Sequence, residues 1–376
     1  MSDMIEKKTN EEQNISTVNA ISYLGKLMDD ALLEIDLEHY ITDANPAAKR
    51  LLGDNLIGSF LNKRINYKDL KDELKTSIKE NKIIEFTSTP TNNKYHQLRG
   101  RLMPINAQKV AVLLMDMTLQ HNLEKMRRDF IANVSHELRS PLTSVIGFIE
   151  TIQNTTNIDE KNLKRFLQIM EDESKRMSRL IDDLLSLSRV EADEHIAPTG
   201  KVCIKSVLES VISTFNDRAT KSGHLIELID NRNDLLEQPI IRGEVDEITE
   251  VFHNLLDNAL KYSFLKSSVK IKITDTVTRE IIVDITNKGE GIEEKHIERL
   301  TERFYRVDKG RSRKMGGTGL GLAIVKHIVN KHRGNLHITS EPKKYTNFRV
   351  IIPRSNALLS NLENDNKTKA KSILLR

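Results

Sequence analysis

From Ile131 to Ile152 the apolar residues recur in alternating steps of three and four: Ile131, Val134, Leu138, Pro141, Val145, Phe148 and Ile152. That spacing gathers them into one stripe of an α-helix, the a and d positions of a seven-residue repeat. Leu163, Phe166, Met170, Met177, Leu180, Leu184 and Leu187 repeat the pattern, broken only by Glu173. The polar stretch NTTNIDE at 154–160 joins the two runs, with Asp159 or Thr156 as a capping residue. A helical hairpin is predicted, and because one hairpin leaves its stripe half covered, two copies are expected to pair as a four-helix bundle.

The pattern changes on both sides. Residues 18–118 carry short alternating runs. ALLEIDLEHYITDANPAAKRLLG predicts strand, turn, strand and a short helix after Asn45-Pro46, PIN a turn, and KVAVLLMDMT a closing strand. Together they predict a small α/β domain. After a linker at 191–200, residues 201–354 alternate helices with β-type runs such as VKIKIT and EIIVDITN, the pattern of an α/β sandwich. Residues 1–17 and 355–376 read as a disordered N-terminus and tail, and 119–191 holds the hairpin.

Composition narrows the function classes. The 376 residues carry a formal net charge of +4 with mixed signs, and no basic block points to nucleic acid. Cys203 is the single cysteine, which excludes a disulfide framework and a thiolate metal site and suits a reducing compartment. The first residues lack the apolar core of a signal peptide. The longest apolar run, VAVLLM at 110–115, falls far short of the ~20 residues of a membrane helix. The expectation is a soluble cytoplasmic protein with no transmembrane segment.

His136 falls at an f position, furthest from the stripe, and therefore faces water. Standing alone it would be an ordinary surface histidine. Its neighbours change that reading. Glu137 is placed to take a ring proton, and Ser140, one turn on, offers a hydroxyl to a water or phosphate. Pro141 removes a helical hydrogen bond and is expected to bend the helix there.

A partner for that histidine is encoded further on. In VDEITEVFHNLLDNALKYS, Val245, Ile248, Phe252, Leu256 and Ala259 form an apolar face. Glu247, Glu250, Asn254, Asn258 and Lys261 line up opposite. Charges alone would make that a solvated face, but amide oxygens suit hard Mg²⁺ and a lysine suits phosphate. TNKGEGI at 286–292 contains Gly289 and Gly291, which let backbone approach a ligand. GGTGLGL at 316–322 opens a helix whose first N–H groups suit phosphate. It matches neither a Walker A loop nor the dinucleotide fingerprint. Between these segments Arg306, Lys309, Arg311, Arg313 and Lys314 form a basic stretch suited to closing over a triphosphate.

In this order, the His-Glu-x-x-Ser-Pro box, the paired asparagines, Gly-x-Gly, Phe-Tyr-Arg and Gly-Thr-Gly-Leu-Gly-Leu resemble the two-component sensor histidine kinases, of the HisKA plus HATPase_c type, over about 120–354. The segment before them resembles a PAS sensor domain. FIETI, RMSRLIDDLLSLSRVE and EHIAPTG are most similar to the phosphate-regulon branch. The resemblance implies an α+β multidomain protein: a PAS-like sensor domain, a helical-hairpin dimerisation domain and an α/β-sandwich ATP-binding domain of the GHKL (Bergerat) type. It implies a homodimeric protein-histidine kinase using ATP and Mg²⁺. His136 is the implied phospho-acceptor and Glu137 its base. Asn258 is the implied Mg²⁺ ligand, with Asn254 one turn before it. Lys261 and Arg306 are implied phosphate contacts, Tyr262 packs beside the nucleotide, and Gly317, Gly319, Leu320 and Gly321 belong to the lid. The implied partners are a PhoB-like response regulator with a receiver aspartate and an accessory phosphate-signalling regulator, with phosphatase activity toward the regulator. His39, His96 and His121 read as surface residues.

Three departures stand out. Asn287 replaces the aspartate that in relatives accepts from the adenine amino group, at a cost of roughly 1–2 kcal/mol in that hydrogen bond. Ser140 replaces a threonine, which weakens the expected phosphatase activity. EPKKYTNFRV lacks the family's last glycine. A nucleotide-responsive scaffold without catalysis, favoured by Asn287, and a phosphatase that rarely labels itself remain alternatives on the sequence.

Overall fold

The computed structural model describes residues 25–355 except 68, 94, 156, 234–236, 278, 309 and 311–315. The expected disorder of 1–17 and of the tail beyond 355, the Thr156 cap, and Lys309, Arg311, Arg313 and Lys314 lie outside the described residues. The chain forms two compact units, 1–132 and 133–376.

The first unit holds β1 (Ala31–Asp36), β2 (Ile41–Ala44), α1 (Pro46–Leu52), α2 (Leu70–Glu80), β3 (Ile84–Ser88), β4 (Leu98–Asn106) and β5 (Lys109–Asp116). Its sheet is antiparallel in the order β2-β1-β5-β4-β3. Alternation puts Leu33, Ile35, Leu102, Val112 and Leu114 on the face that packs with Leu52, Leu61, Leu70 and Leu74. Asn45 caps α1, its Oδ1 accepting from Ala48 N at 2.8 Å with Pro46 in the first turn. The PIN segment is the end of β4 and not a turn. Its proline is accommodated because the β4–β5 register shifts between Pro104 and Asn106. His121 is exposed, whereas His39 and His96 are half-buried, with His96 Nδ1 3.0 Å from Asp116 Oδ2.

The helices α3 (Thr118–Asn154) and α4 (Glu160–Ala192) form the predicted hairpin. Pro141 sits inside an unbroken α3 and is its buried residue, while Leu180, Leu187 and Val190 are buried on α4 and the Phe148 and Phe166 rings meet at 5.1 Å. Asp159 occupies the N-cap of α4 but its side chain does not cap. It accepts from Asn162 Nδ2 instead. Ile131, expected on the stripe, is 55% exposed.

Beyond the hairpin come β6 (Lys201–Cys203), α5 (Ile204–Lys221), β7 (Leu225–Asp230), β8 (Ile240–Arg242), α6 (Val245–Lys261), β9 (Ser268–Asp275), β10 (Glu280–Lys288), α7 (Gly321–Lys331), β11 (Asn335–Glu341) and β12 (Tyr345–Pro353). The main sheet runs β11-β12-β10-β9-β7, antiparallel except for β7 with β9. Val269, Ile271 and Ile273 alternate with lysines, so one face is apolar and α5, α6 and α7 cover it. The missing glycine near the end of the chain has a counterpart in geometry. The β11–β12 turn needs a left-handed residue, and Lys343 supplies it at φ 62°.

Candidate functional site

Helix α6 buries Ile248, Phe252, Leu255, Leu256 and Ala259 against the sheet. Val245, predicted to join them, is exposed in the first turn. On the other face Glu250, Asn254, Asp257, Asn258 and Lys261 line a cavity of about 590 Å³. Glu247 leaves that row and pairs with Lys331 of α7 at 2.6 Å. Lys261 is held by Asp257 at 2.5 Å, and Arg218 of α5 grips the same carboxylate at 2.7 Å.

One end of the cavity is the exit of β10. Asn287 lines it opposite Thr346 of β12, with Phe348, Ile292 and Gly291 beside them. Gly289 and Gly291 are required by crowding: a Cβ at Gly289 would overlap the Tyr262 carbonyl oxygen, and one at Gly291, which has φ 65°, the Glu341 carbonyl oxygen. Gly289 therefore shapes the wall without lining the cavity, whereas Tyr262 lines it directly.

The other end is the start of α7. Gly316, Gly317, Thr318, Gly319 and Gly321 line it with Arg306. Arg306 Nη2 donates to Thr318 O at 2.5 Å. Thr318 Oγ1 donates to Asp183 Oδ2 at 2.6 Å and accepts from Leu320 N at 3.3 Å, so it restrains the first turn of α7. Leu320 itself does not line the cavity. Its side chain is fully buried, because the helix start turns it into the core. Asn254 Oδ1 lies 2.6 Å from where a Cβ on Gly321 would stand, and its Nδ2 donates to Glu250 O at 3.1 Å. A bare glycine thus keeps the amide oxygen accessible.

Helix α4 contributes the near wall with Arg179 and Asp183. Burial pushes the Asp183 carboxyl above its ordinary value, partly offset by Thr318. Burial likewise raises Glu250, whose carboxylate accepts from Ser186 of α4 at 2.6 and 2.8 Å. His136 is exposed on α3, as its f position predicted, Ser140 is exposed too, and with Glu137 they lie outside the cavity lining. Glu137 connects them to it: its Oε2 accepts from Arg176 at 2.7 Å and from Arg306 at 3.3 Å. The sequence pairs Glu137 with His136 and expects Arg306 at the phosphates; the contacts of Arg176 and Arg306 with Glu137 are set by the fold. Arg176 is 7% exposed and also faces Glu173 at 3.6 Å.

The structure therefore gathers Asn254, Asn258, Lys261, Tyr262, Asn287, Gly291, Arg306, Gly317, Gly319 and Gly321 around one cavity. It adds Arg179, Asp183, Arg218, Thr318, Thr346 and Phe348. Of these, Thr346 and Phe348 had a signal, the two-residue alternation of YTNFRV. The α4 residues had none, since their position depends on docking. Chemically the site offers cations and helix-start N–H groups at one end and a buried amide beside an aromatic ring at the other. Among the described residues no helix is long and apolar enough to cross a membrane.

The chain is similar to known proteins over most of its length. The family described as "Histidine kinase-, DNA gyrase B-, and HSP90-like ATPase" matches residues 243–356, and the "His Kinase A (phospho-acceptor) domain" matches 126–193. The chain is 35% identical over 352 residues to the phosphate regulon sensor protein PhoR of Pseudomonas aeruginosa, covering 89% of this chain and 74% of that one. It is 30% identical over 345 residues to the sensor protein kinase WalK of Staphylococcus aureus, covering 87% of this chain and 54% of that one. Among solved structures, the histidine kinase ThkA in complex with the response regulator protein TrrA is 20% identical with a TM-score of 0.49, covering 89% of this chain and 98% of that one. The Acinetobacter baumannii histidine kinase AdeS is 26% identical with a TM-score of 0.45, covering 59% and 98%.

Proposed function

The chain belongs to the sensor histidine kinases of two-component systems, and on that premise we propose that it transfers the γ-phosphoryl group of ATP to His136 and then to an aspartate of a response regulator. The observation that carries this reading is the Glu137–Arg306 contact, which ties the carboxylate beside the exposed histidine to the wall of the cavity. The cavity supports ATP as donor: Arg306 and the glycine-flanked start of α7 suit the phosphates, and Asn287, Thr346 and Phe348 suit the base. The Asn254 amide oxygen beside Gly321 and the cavity-lining Asn258 are a donor set that fits Mg²⁺. Asn258 would hold the ion, which supplies neutralisation of phosphate charge.

A ring nitrogen of His136 forms the new bond to phosphorus as the bond to the ADP oxygen breaks and ADP leaves with the electron pair. The other ring nitrogen gives its proton to Glu137. Arg306, now shared between Glu137 and Thr318, is the cation placed to follow the transferring group. Ser140, one turn from His136, is the hydroxyl for orienting water when the regulator is dephosphorylated. The similarity to PhoR supports a phosphate-starvation regulon with a PhoB-like regulator and an accessory phosphate-signalling partner. The β2-β1-β5-β4-β3 sheet supports a PAS-like sensor role for the first unit. The proposed domains are 18–118, 119–191 and 201–354, acting in a cytoplasmic homodimer. His136→Gln should bind ATP normally yet take up no acid-labile label from γ-labelled ATP. A variant that still labels on nitrogen removes His136 from this role.

A further inference from the structure

One buried polar atom of the site has no use in the scheme so far. Asn287 is 2% exposed, lines the cavity at the exit of β10, and its Nδ2 has no hydrogen-bond partner among the described residues. Such a donor is costly to bury and points to a missing acceptor. Its cross-strand neighbour Thr346 does not pair with it; the Thr346 hydroxyl turns instead to Ser340 Oγ at 2.9 Å. Gly289 packs closely beside the amide, where a Cβ would stand 3.0 Å from Nδ2 and 2.1 Å from the Tyr262 carbonyl oxygen. The phosphate-seeking groups cluster at the start of α7, whereas Asn287 shares its end with Phe348 and Ile292, an apolar flank for a flat ring. This is the base end of the nucleotide site, and the inference rests on the ATP reading above.

A carboxylate offers acceptors only, whereas a carboxamide carries one donor edge and one acceptor edge side by side. Toward a 6-amino purine, Asn287 Oδ1 accepts from the amino group while Nδ2 donates to N1. Toward a 6-oxo purine, the amide turned by half a rotation donates from Nδ2 to O6 while Oδ1 accepts from N1–H. With Nδ2 unpartnered among the described residues, no hydrogen bond of theirs to that nitrogen opposes the turn. We propose that Asn287 makes the site permissive, so that it takes 6-oxo as well as 6-amino purine triphosphates with comparable affinity.

The test is titration of the intact chain, in Mg²⁺, with ATP and with inosine triphosphate, which differs only at the 6-edge. Asn287 predicts dissociation constants within about fivefold of each other. Asn287→Asp should weaken inosine triphosphate relative to ATP by at least about tenfold, because O6 then meets acceptors alone. If ATP binds while inosine triphosphate binds roughly fiftyfold or more weakly to the natural chain, the proposal is overturned. It is equally overturned if a folded Asn287→Asp leaves the ratio unchanged. Should Asn287→Asp not fold, the ratio in the natural chain decides by itself. Failure of both nucleotides to bind would instead remove the ATP reading, and the inference with it.

Discussion

Arg306 Nη2 and Arg176 Nη2 converge on the same oxygen, Oε2 of Glu137, at 3.3 and 2.7 Å. Arg176 belongs to the hairpin itself and Arg306 to the cavity wall. The carboxylate beside His136 is thus anchored by one cation and bridged to the cavity by the other.

Removing the anchor leaves Glu137 and Glu173 facing each other with their buried cation gone. Arg176→Met should therefore cost roughly 2–4 kcal/mol in chemical denaturation. Glu137→Gln keeps the shape and loses the base, and should slow labelling of His136 by about 10²–10⁴ with ATP affinity unchanged. Equal losses of labelling and of ATP affinity in Glu137→Gln would assign the residue to binding.

The Asp183–Thr318 contact responds to pH. Burial raises the Asp183 carboxyl in the folded chain above its unfolded value. The buried, protonated carboxyl therefore contributes stability that is fully present below the unfolded pKa and lost as pH rises through the raised folded value, with the Thr318 hydrogen bond to the carboxylate offsetting part of that loss. Asp183→Asn keeps an acceptor for Thr318 without the charge. It should raise stability at alkaline pH and flatten the thermal-melting profile above the ordinary carboxylate range. An unchanged profile would show that Asp183 is not the titrating group.

A second apolar stripe lies on the hairpin outside its own seam. Leu142, Ile146 and Ile149 on α3 and Leu167, Ile181 and Leu185 on α4 are 42–53% exposed. Burial of such a stripe against a second copy stabilises each fully covered side chain by about 1.5–3 kcal/mol. Ile146→Glu with Leu185→Glu should halve the mass measured by light scattering while the helix content of each chain persists. A natural chain that is monomeric at micromolar concentration would contradict the pairing.

The periodicities carried much of this outcome. Steps of three and four drew the hairpin and turned His136 outward, because helical geometry is local and 100° per residue fixes each side chain's direction. The same rule put Asn254, Asn258 and Lys261 on one face of α6, and alternation drew the strands. What the sequence could not supply was anything set by contact between distant segments. That Arg176 and Arg306 share Glu137, that Asp183 holds Thr318, and that Arg218 of α5 grips Asp257 of α6 depend on where helices dock and which rotamers that docking permits. Lys343 in a left-handed turn and Leu320 buried beneath its own glycine-rich loop were likewise decided by neighbours, since the energy that overrides a local preference comes from packing across the fold.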